Sequence, residues 1–229
     1  MLSHTPKEIN LKFILPLALL YLTIYLAADS VAYKMIALGA LIAPGPPFIF
    51  PLSYSLGDVI AEVYGYSMAR KIIWLTLFFQ FLYSFFVMFV VNLPHPIDWH
   101  NQESYQIVFG SLIRFVSAGF ISVLASHFIN IYIFSKWKIL LRGKHFWLRS
   151  IVSSAIGGFV LIFLIMLLGY SGTVDLRTSL IMFSSIYLIE LLYACITVWP
   201  AWLLSGYLKI KENLDVYDTK TNFNPFILK

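Results

Sequence analysis

Long uncharged apolar segments alternate with short polar connections along this chain. Residues 13–28, 72–93 and 151–170 contain no Asp, Glu, Lys or Arg. Two further apolar segments, 107–135 and 179–205, are longer and carry a few polar side chains. Apolar segments of about 20 residues have the length of a transmembrane helix. The pattern therefore predicts five membrane-spanning helices, of which the first is slightly short.

A sixth uncharged segment, 35–57, is interrupted by Pro44-Gly-Pro-Pro47. Proline removes a backbone donor and does not continue a helix. We therefore predict a broken second span, and a kinked helix and a surface loop both remain open for the proline-rich part. Broken helices at membrane depth lie beside protein or a wet cavity, and they often build transporter sites.

Composition agrees with a membrane protein. Of the 229 residues, 60% are hydrophobic and only 12% are charged, which is about half the charged fraction of a soluble domain. We predict a single all-α integral membrane domain over residues 1–229, with six transmembrane helices and a polar tail over 206–229. The net charge of +5 indicates basic cytoplasmic loops, and no nucleic-acid-binding motif is present.

The basic residues predict the orientation in the membrane. They collect near the N-terminus, at Arg70-Lys71, over 136–149 and in the tail, whereas the connection 94–105 contains none. Six spans with both termini in the cytoplasm place each of these clusters inside. Only Lys34 and Arg177 then lie in outer turns.

Two carboxylates four residues apart stand beside the apolar spans. Tyr54, Asp58, Glu62 and Tyr66 share one face if this stretch is helical. Acidic side chains next to apolar spans are costly, and they usually mark a pathway or a ligand. We therefore predict that this polar stripe forms one wall of a binding site inside the bundle.

Other polar side chains fall within the later spans. His127 and Asn130 are three residues apart and share a helix face, where they could bond a neighbouring helix or contact a ligand. Glu190 lies about a dozen residues from either end of its span, too far for easy snorkelling. It needs a cation, a proton or a ligand donor, and Lys34 is its best cationic candidate in sequence terms.

No enzyme signature is present, and neither a metal nor a cofactor is predicted. His95 and His100 flank Asp98, but this spacing is common by chance in a short polar loop. An intramembrane enzyme with Asp58 and Glu62 as an acid–base pair is the alternative from another class. A membrane scaffold without a ligand is a further alternative.

The run from Phe50 to Arg70 resembles the queuosine precursor transporter family, also called the vitamin uptake transporter family. The resemblance rests there on Phe50-Pro51, Tyr54, Asp58, Glu62-Val-Tyr64-Gly65-Tyr66 and Ala69-Arg70. It extends to Lys34, Arg114, Ser117-Ala118, Tyr132-x-Phe134, His145-x-Trp147-Leu148-Arg149, Asp215-Val-Tyr-Asp218 and the run from Thr221 to Phe226. Chance similarity among hydrophobic sequences would not produce the polar tail.

The resemblance implies six helices arranged like the substrate-binding component of energy-coupling-factor transporters. It also implies uptake of 7-deazaguanine precursors of queuosine, or of queuine, across the bacterial inner membrane. A guanine-like base offers an N–H edge to a carboxylate, its carbonyl accepts from Lys34 or Asn130, and Tyr54 or Trp199 could stack on its ring. The predicted substrate-binding residues are Lys34, Tyr54, Asp58, Glu62, His127, Asn130, Glu190 and Trp199. The expected partners are a small heteroaromatic solute and membrane lipid, and a homo-oligomer is left open.

Several positions depart from the family pattern. Gly158 and Leu161-Ile162 stand where many members have Gln and Asp-Ser, and Glu190 replaces a common lysine. His127 and Asn130 replace the usual Gln and Asp of the fourth span. A related purine-like or cationic solute is therefore an alternative cargo.

A binding component that needs an ATP-driven partner is the alternative within transport. Such components resemble this family but present an Ala-x-x-x-Ala pair on the first helix for docking. Residues 13–28 contain no such pair. We therefore expect a carrier that works alone.

Overall fold

The computed structural model describes residues 11–39, 41–110, 112–169 and 175–227, and the side chains of residues 114, 115, 118 and 169 lie outside that description. Within these ranges the chain forms seven α-helices and one two-stranded sheet. The helices are α1 (Ile14–Ser30), α2 (Leu52–Tyr64), α3 (Tyr66–Val91), α4 (Gln102–Phe109), α5 (Leu112–Leu140), α6 (Phe146–Gly169) and α7 (Leu176–Glu212). The strands are β1 (Met35–Leu38) and β2 (Leu41–Pro44).

The predicted broken helix over 35–57 was wrong in its first half. β1 and β2 form an antiparallel hairpin in which Met35 lies opposite Pro44, and a short 3-10 helix follows at Pro46–Phe48. Proline favours an extended conformation in the residue before it, so the Pro44–Pro47 region ends a strand rather than kinking a helix. The helix of this segment begins only at Leu52.

α2 is the most enclosed helix of the bundle. It packs against α1, α3, α5, α6 and α7, and each of its residues from Ser53 to Tyr64 is buried. Small side chains at Ser53, Ser55, Gly57 and Ala61 let neighbouring helices approach it closely. The polar groups of α2 therefore face the protein interior and not lipid.

Gly65 separates α2 from α3. Its φ of 83° lies in the left-handed region that favours glycine, and a Cβ there would stand 2.7 Å from Val216 Cγ1. α2 therefore ends at Tyr64, and Tyr66 begins the next helix. The predicted stripe of four residues is corrected to three, because Tyr66 no longer shares a face with Tyr54, Asp58 and Glu62.

Helices lie at each of the other predicted spans, and some are longer than predicted. α5 extends past residue 135 to Leu140, and α7 extends past residue 205 to Glu212, into the predicted tail. In the described ranges, three helices are long and apolar enough to cross a membrane: Tyr66–Val91, Phe146–Leu168 and Leu176–Glu212. α1 is apolar but shorter. The outer faces of these helices are apolar and exposed, as at Phe78, Phe89, Phe163 and Leu192. Such faces are typical of contact with lipid, and they indicate a multi-pass membrane protein.

Candidate functional site

A cluster of aromatic side chains packs around His127 within the bundle. The imidazole is fully buried and stacks on the ring of Tyr54, with centroids 4.5 Å apart and planes at 10°. Tyr21 Oη lies 2.9 Å from His127 Nδ1, and the rings of Tyr25 and Phe50 stand 5.6 Å and 5.4 Å from the imidazole. α1, α2, α5 and the segment before α2 each contribute a side chain to this aromatic cluster.

Asp58 and Asn130 bring partly unsatisfied polar groups to the same region. Ser150 Oγ donates to Asp58 Oδ2 over 2.6 Å, but Oδ1 has no donor among the described residues. Asn130 Nδ2 donates to Ser153 and Ser154, and its Oδ1 likewise has no donor there. A buried acceptor without a donor costs about 1–3 kcal/mol. Two such acceptors therefore lie on fully buried residues beside the aromatic cluster.

Glu190 of α7 faces Gly158 of α6. Its side chain is buried, and its Oε2 has no donor within the described part of the chain. A Cβ on Gly158 would stand 1.9 Å from that oxygen, and one on Gly157 would stand 3.2 Å from Tyr54 Cε1. The glycine pair therefore makes room for the Glu190 carboxylate and the Tyr54 ring. Lys34, its candidate partner from sequence, is exposed and forms no ion pair with a described residue.

Glu62 lies one helical turn beyond Asp58 but has a different environment. Arg149 Nη1 is 2.8 Å from Glu62 Oε2, and Lys209 Nζ is 2.6 Å from Oε1. Lys138 Nζ stands 3.9 Å from the same Oε1. Both carboxylate oxygens are therefore occupied by cations from α6 and α7. The carboxylate forms part of the floor of a cleft of about 380 Å³ at this basic end of the bundle.

The polar tail closes over the same ion cluster. Lys138 Nζ donates to Asp215 Oδ1 over 2.5 Å and to Val216 O over 2.7 Å, and Lys209 Nζ lies 3.1 Å from Asp215. Burial raises the pKa of Asp215, but the hydrogen bonds and charges of Lys138 and Lys209 outweigh it, so the pKa lies below the ordinary 3.8. The tail is thus tied electrostatically to α5 and α7.

Further contacts hold the tail against the start of α3. Asp218 Oδ2 accepts the backbone N–H of Tyr66 over 2.9 Å, which satisfies a free amide at a helix start. Arg70 Nη1 donates to the carbonyls of Asn222 and Asn224, and Trp74 Nε1 donates to Pro225 O. These bonds give the motif-rich tail a structural role at the junction of α2 and α3.

The structure brings five of the eight predicted residues into one buried region: Tyr54, Asp58, His127, Asn130 and Glu190. Glu62 is next to it but is paired with cations. Lys34 is exposed before β1, and Trp199 is 59% exposed on the outside of α7. Their binding roles stay predictions, and the side chain of Arg114 lies outside the described residues.

Some residues of the region were missed from sequence. Tyr21 and Tyr25 are four residues apart in an otherwise apolar span, and this spacing was the available signal. Ser150 and Arg149 had no such local signal as site residues, because their partners on α2 are 92 and 87 residues away in sequence. The described residues hold no group of three His, Cys, Asp or Glu side chains that could bind a metal ion.

Comparison with known families adds an independent finding. A model of the family described as "Putative vitamin uptake transporter" matches residues 44–204, which is more than half of the 229-residue chain. The matched region contains Asp58, His127, Asn130 and Glu190. No curated protein and no solved structure matches the chain. The predicted resemblance is confirmed, and the chain belongs to the vitamin uptake transporter family, whose description is that of membrane transporters for small solutes.

Proposed function

We propose that this protein takes up a nitrogen-rich heteroaromatic solute, a 7-deazaguanine precursor of queuosine, queuine or a related purine-like molecule. One observation carries the proposal: buried acceptor oxygens without donors lie beside an aromatic cluster. These oxygens belong to Asp58, Asn130 and Glu190, and the cluster is centred on the stacked rings of Tyr54 and His127. Family membership supports the transport of a small solute.

The chemistry of such a solute fits the acceptors. A guanine-like ring presents several N–H groups along one edge, and a carboxylate accepts two of them side by side. Each hydrogen bond to such an acceptor contributes about 0.5–1.5 kcal/mol. Asp58 Oδ1 and Asn130 Oδ1 then receive the donors that the protein does not supply. The flat ring meets the aromatic walls, where stacking adds about 0.5–1.5 kcal/mol.

We infer six spans, with both termini on the cytoplasmic side of a bacterial inner membrane. Five of the spans are assigned to α1, α3, α5, α6 and α7. The remaining span, second in chain order, consists of the hairpin region together with α2. The positive charges support this orientation, because Lys138, Arg149 and Lys209 all lie at the end that the tail covers. We also propose that the six helices are arranged like those of the substrate-binding component of energy-coupling-factor transporters.

In this proposal, Glu62 helps to close the route from the binding site to the cytoplasm. Its ion pairs connect α2 with α6 and α7, and Lys138 and Asp215 add α5 and the tail. Asp58 is one turn deeper on α2, so a solute leaving it toward the cytoplasm has to pass this cluster. Release therefore requires the pairs of Glu62 with Arg149 and Lys209 to separate. A carboxylate held by cations on both oxygens is also a poor acid–base partner for Asp58, which disfavours the enzyme alternative.

Lys34 and Trp199 receive no solute contact in this conformation. Both are exposed, on the hairpin side and on the lipid-facing surface of α7 respectively. The proposed contacts are those of Tyr54, Asp58, His127, Asn130 and Glu190.

Uptake of a radiolabelled 7-deazaguanine base by cells that lack their own carrier tests the function. Cells expressing the wild-type chain should accumulate the label, and Asp58→Asn should abolish accumulation although Ser150 can still bond the new side chain. Asp98→Asn, in an exposed connection, is the matched control and should keep wild-type uptake. Equal uptake by the Asp58→Asn and wild-type proteins would refute the proposal. Repeating the assay without any energy-coupling module separates a solitary carrier from a binding component.

A further inference from the structure

The ion cluster around Glu62 contains more cations than carboxylates. Lys138, Arg149 and Lys209 surround Glu62 and Asp215, with the closest pairs at 2.5, 2.6 and 2.8 Å. Three cations therefore face two carboxylates within ion-pair distance among the described side chains. Lys138 and Arg149 are almost fully buried, so water compensates their charge poorly. The imbalance favours an additional anion beside the cluster.

A cleft of about 380 Å³ opens directly onto this cluster. It lies between the connection from α5 to α6 and the last turns of α7, and Lys144, His145 and Lys209 line it together with Glu62. The side chains of Lys144 and His145 are exposed and form no ion pair with any described residue. The cleft is therefore positively charged, and it is accessible to an anion from outside.

An aromatic groove continues from this cleft along the outside of the bundle. The groove has a volume of about 190 Å³, and its walls include Trp147, Trp199 and Trp202. His145, Phe146 and Trp202 line both spaces, so the two are continuous. All three tryptophans are exposed on the surface. Exposed tryptophans of a membrane protein typically lie at the level of the lipid headgroups.

We propose that the cleft binds the phosphate headgroup of an anionic phospholipid, whose acyl chains run along the tryptophan groove. The phosphate oxygens accept hydrogen bonds from Lys144 and Lys209 and balance the excess charge of the cluster. Basic pockets between helices on the cytoplasmic side are known to bind anionic headgroups. A free inorganic anion would satisfy the charge but would leave the apolar groove uncovered, so charge and shape together favour the lipid. Trp199, a predicted solute contact, is assigned to the lipid.

Lipid binding to the purified full-length protein in detergent tests this site without any transport assay. Phosphatidylglycerol, phosphatidylcholine and inorganic phosphate are titrated separately while bound lipid is counted by native mass spectrometry. Phosphatidylglycerol should bind at least tenfold more tightly than phosphatidylcholine. Lys144→Gln should weaken phosphatidylglycerol binding about fivefold, the effect of removing one lysine near a charged headgroup. Lys220→Gln, at another exposed lysine of the same end, should leave it unchanged.

Trp199→Ala separates a lipid from a free anion. This side chain lines the groove but not the cleft, so its removal should weaken phosphatidylglycerol binding and leave phosphate binding unchanged. Equal binding of phosphatidylglycerol and phosphatidylcholine would overturn the proposal. Inorganic phosphate that displaces phosphatidylglycerol at equal concentration would also overturn it, because the groove would then contribute nothing.

Discussion

Arg149 Nη1 lies 2.8 Å from Glu62 Oε2, and both side chains are almost completely buried. This ion pair joins α6 to α2 and accounts for one oxygen of the carboxylate. Asp58, one turn earlier on the same helix, has no cation within ion-pair distance in the described part of the chain, and its Oδ1 has no donor there. The two acids of the sequence stripe therefore have different surroundings: Glu62 links α2 to α6 and α7, and Asp58 is the acid to which the proposed function assigns the solute.

Replacing Glu62 by glutamine should destabilise the protein. The substitution leaves Arg149 buried without its carboxylate, and breaking a buried pair from one side costs about 3–5 kcal/mol. Thermal unfolding in detergent measures the loss. Glu103→Gln, on the exposed face of α4, is the control and should change the melting temperature little.

A double variant distinguishes this ion pair from a general packing effect. Glu62→Gln combined with Arg149→Gln should be less destabilised than the sum of the two single variants, because neither charge is then stranded. Additive losses would show that the two side chains do not interact in the folded protein.

Gly158→Ala should impair uptake more than it impairs folding. The new methyl group would stand 1.9 Å from Glu190 Oε2, and the end of the flexible glutamate side chain can move away to accommodate it. Gly119→Ala is the control, because a Cβ there meets nothing within 4 Å. Initial uptake rates and melting temperatures of both variants check the prediction. Equal uptake by the two variants would contradict the placement of Glu190 against α6.

Solute affinity should not depend on Lys34 or Trp199. Both side chains are exposed, so Lys34→Gln and Trp199→Ala should each change the dissociation constant of a bound deazaguanine less than twofold. Titration of the purified variants by intrinsic fluorescence or calorimetry measures this. A tenfold weaker affinity of either variant would return that residue to the binding site.

Tail docking through Asp215 should withstand mild acid. The pKa of Asp215 lies below 3.8 in the folded protein. Because the pKa of this carboxyl is lowered on folding, its ionised form stabilises the folded state at any pH above the ordinary pKa. The stabilisation is lost as the pH falls through the lowered pKa. Docking should therefore stay constant from pH 7 to pH 5 and weaken only below about 3.8. A gradual loss between pH 7 and pH 5 would contradict the assignment.

A spin label on the tail reports this transition. The label is attached through Lys220→Cys in a Cys195→Ser background, since Cys195 is the single cysteine and is exposed. Its mobility should rise only in the acid range, and Asp215→Asn should raise it already at neutral pH.

The apolar pattern predicted most of the helices because lipid imposes long uncharged segments. It did not predict the β-hairpin, since residues 35–44 are as apolar as a span and only the prolines indicated an irregular structure. It also did not predict the partners of Glu62. Lys138 and Arg149 were interpreted as topology signals, and an ion pair between positions 62 and 149 depends on tertiary packing that no local pattern encodes.

The sequence predicted the polar residues of the candidate site, but it did not predict all of the residues that contact them. The acid pair beside the apolar spans identified Asp58, and polar residues within spans identified His127, Asn130 and Glu190. Tyr21 was missed since tyrosine is common in apolar spans, and its hydrogen bond to His127 of α5 forms only in the folded bundle.

Binding of queuine or a 7-deazaguanine to the purified wild-type protein and to Asp58→Asn tests the central claim most directly. At a ligand concentration of 100 times the dissociation constant, binding should add about 2.7 kcal/mol to the stability of the wild-type protein. Asp58→Asn should fold with at least wild-type stability and show no such gain at the same concentration. Thermal stabilisation of both proteins to the same extent, or of neither by any of these bases, would contradict the account.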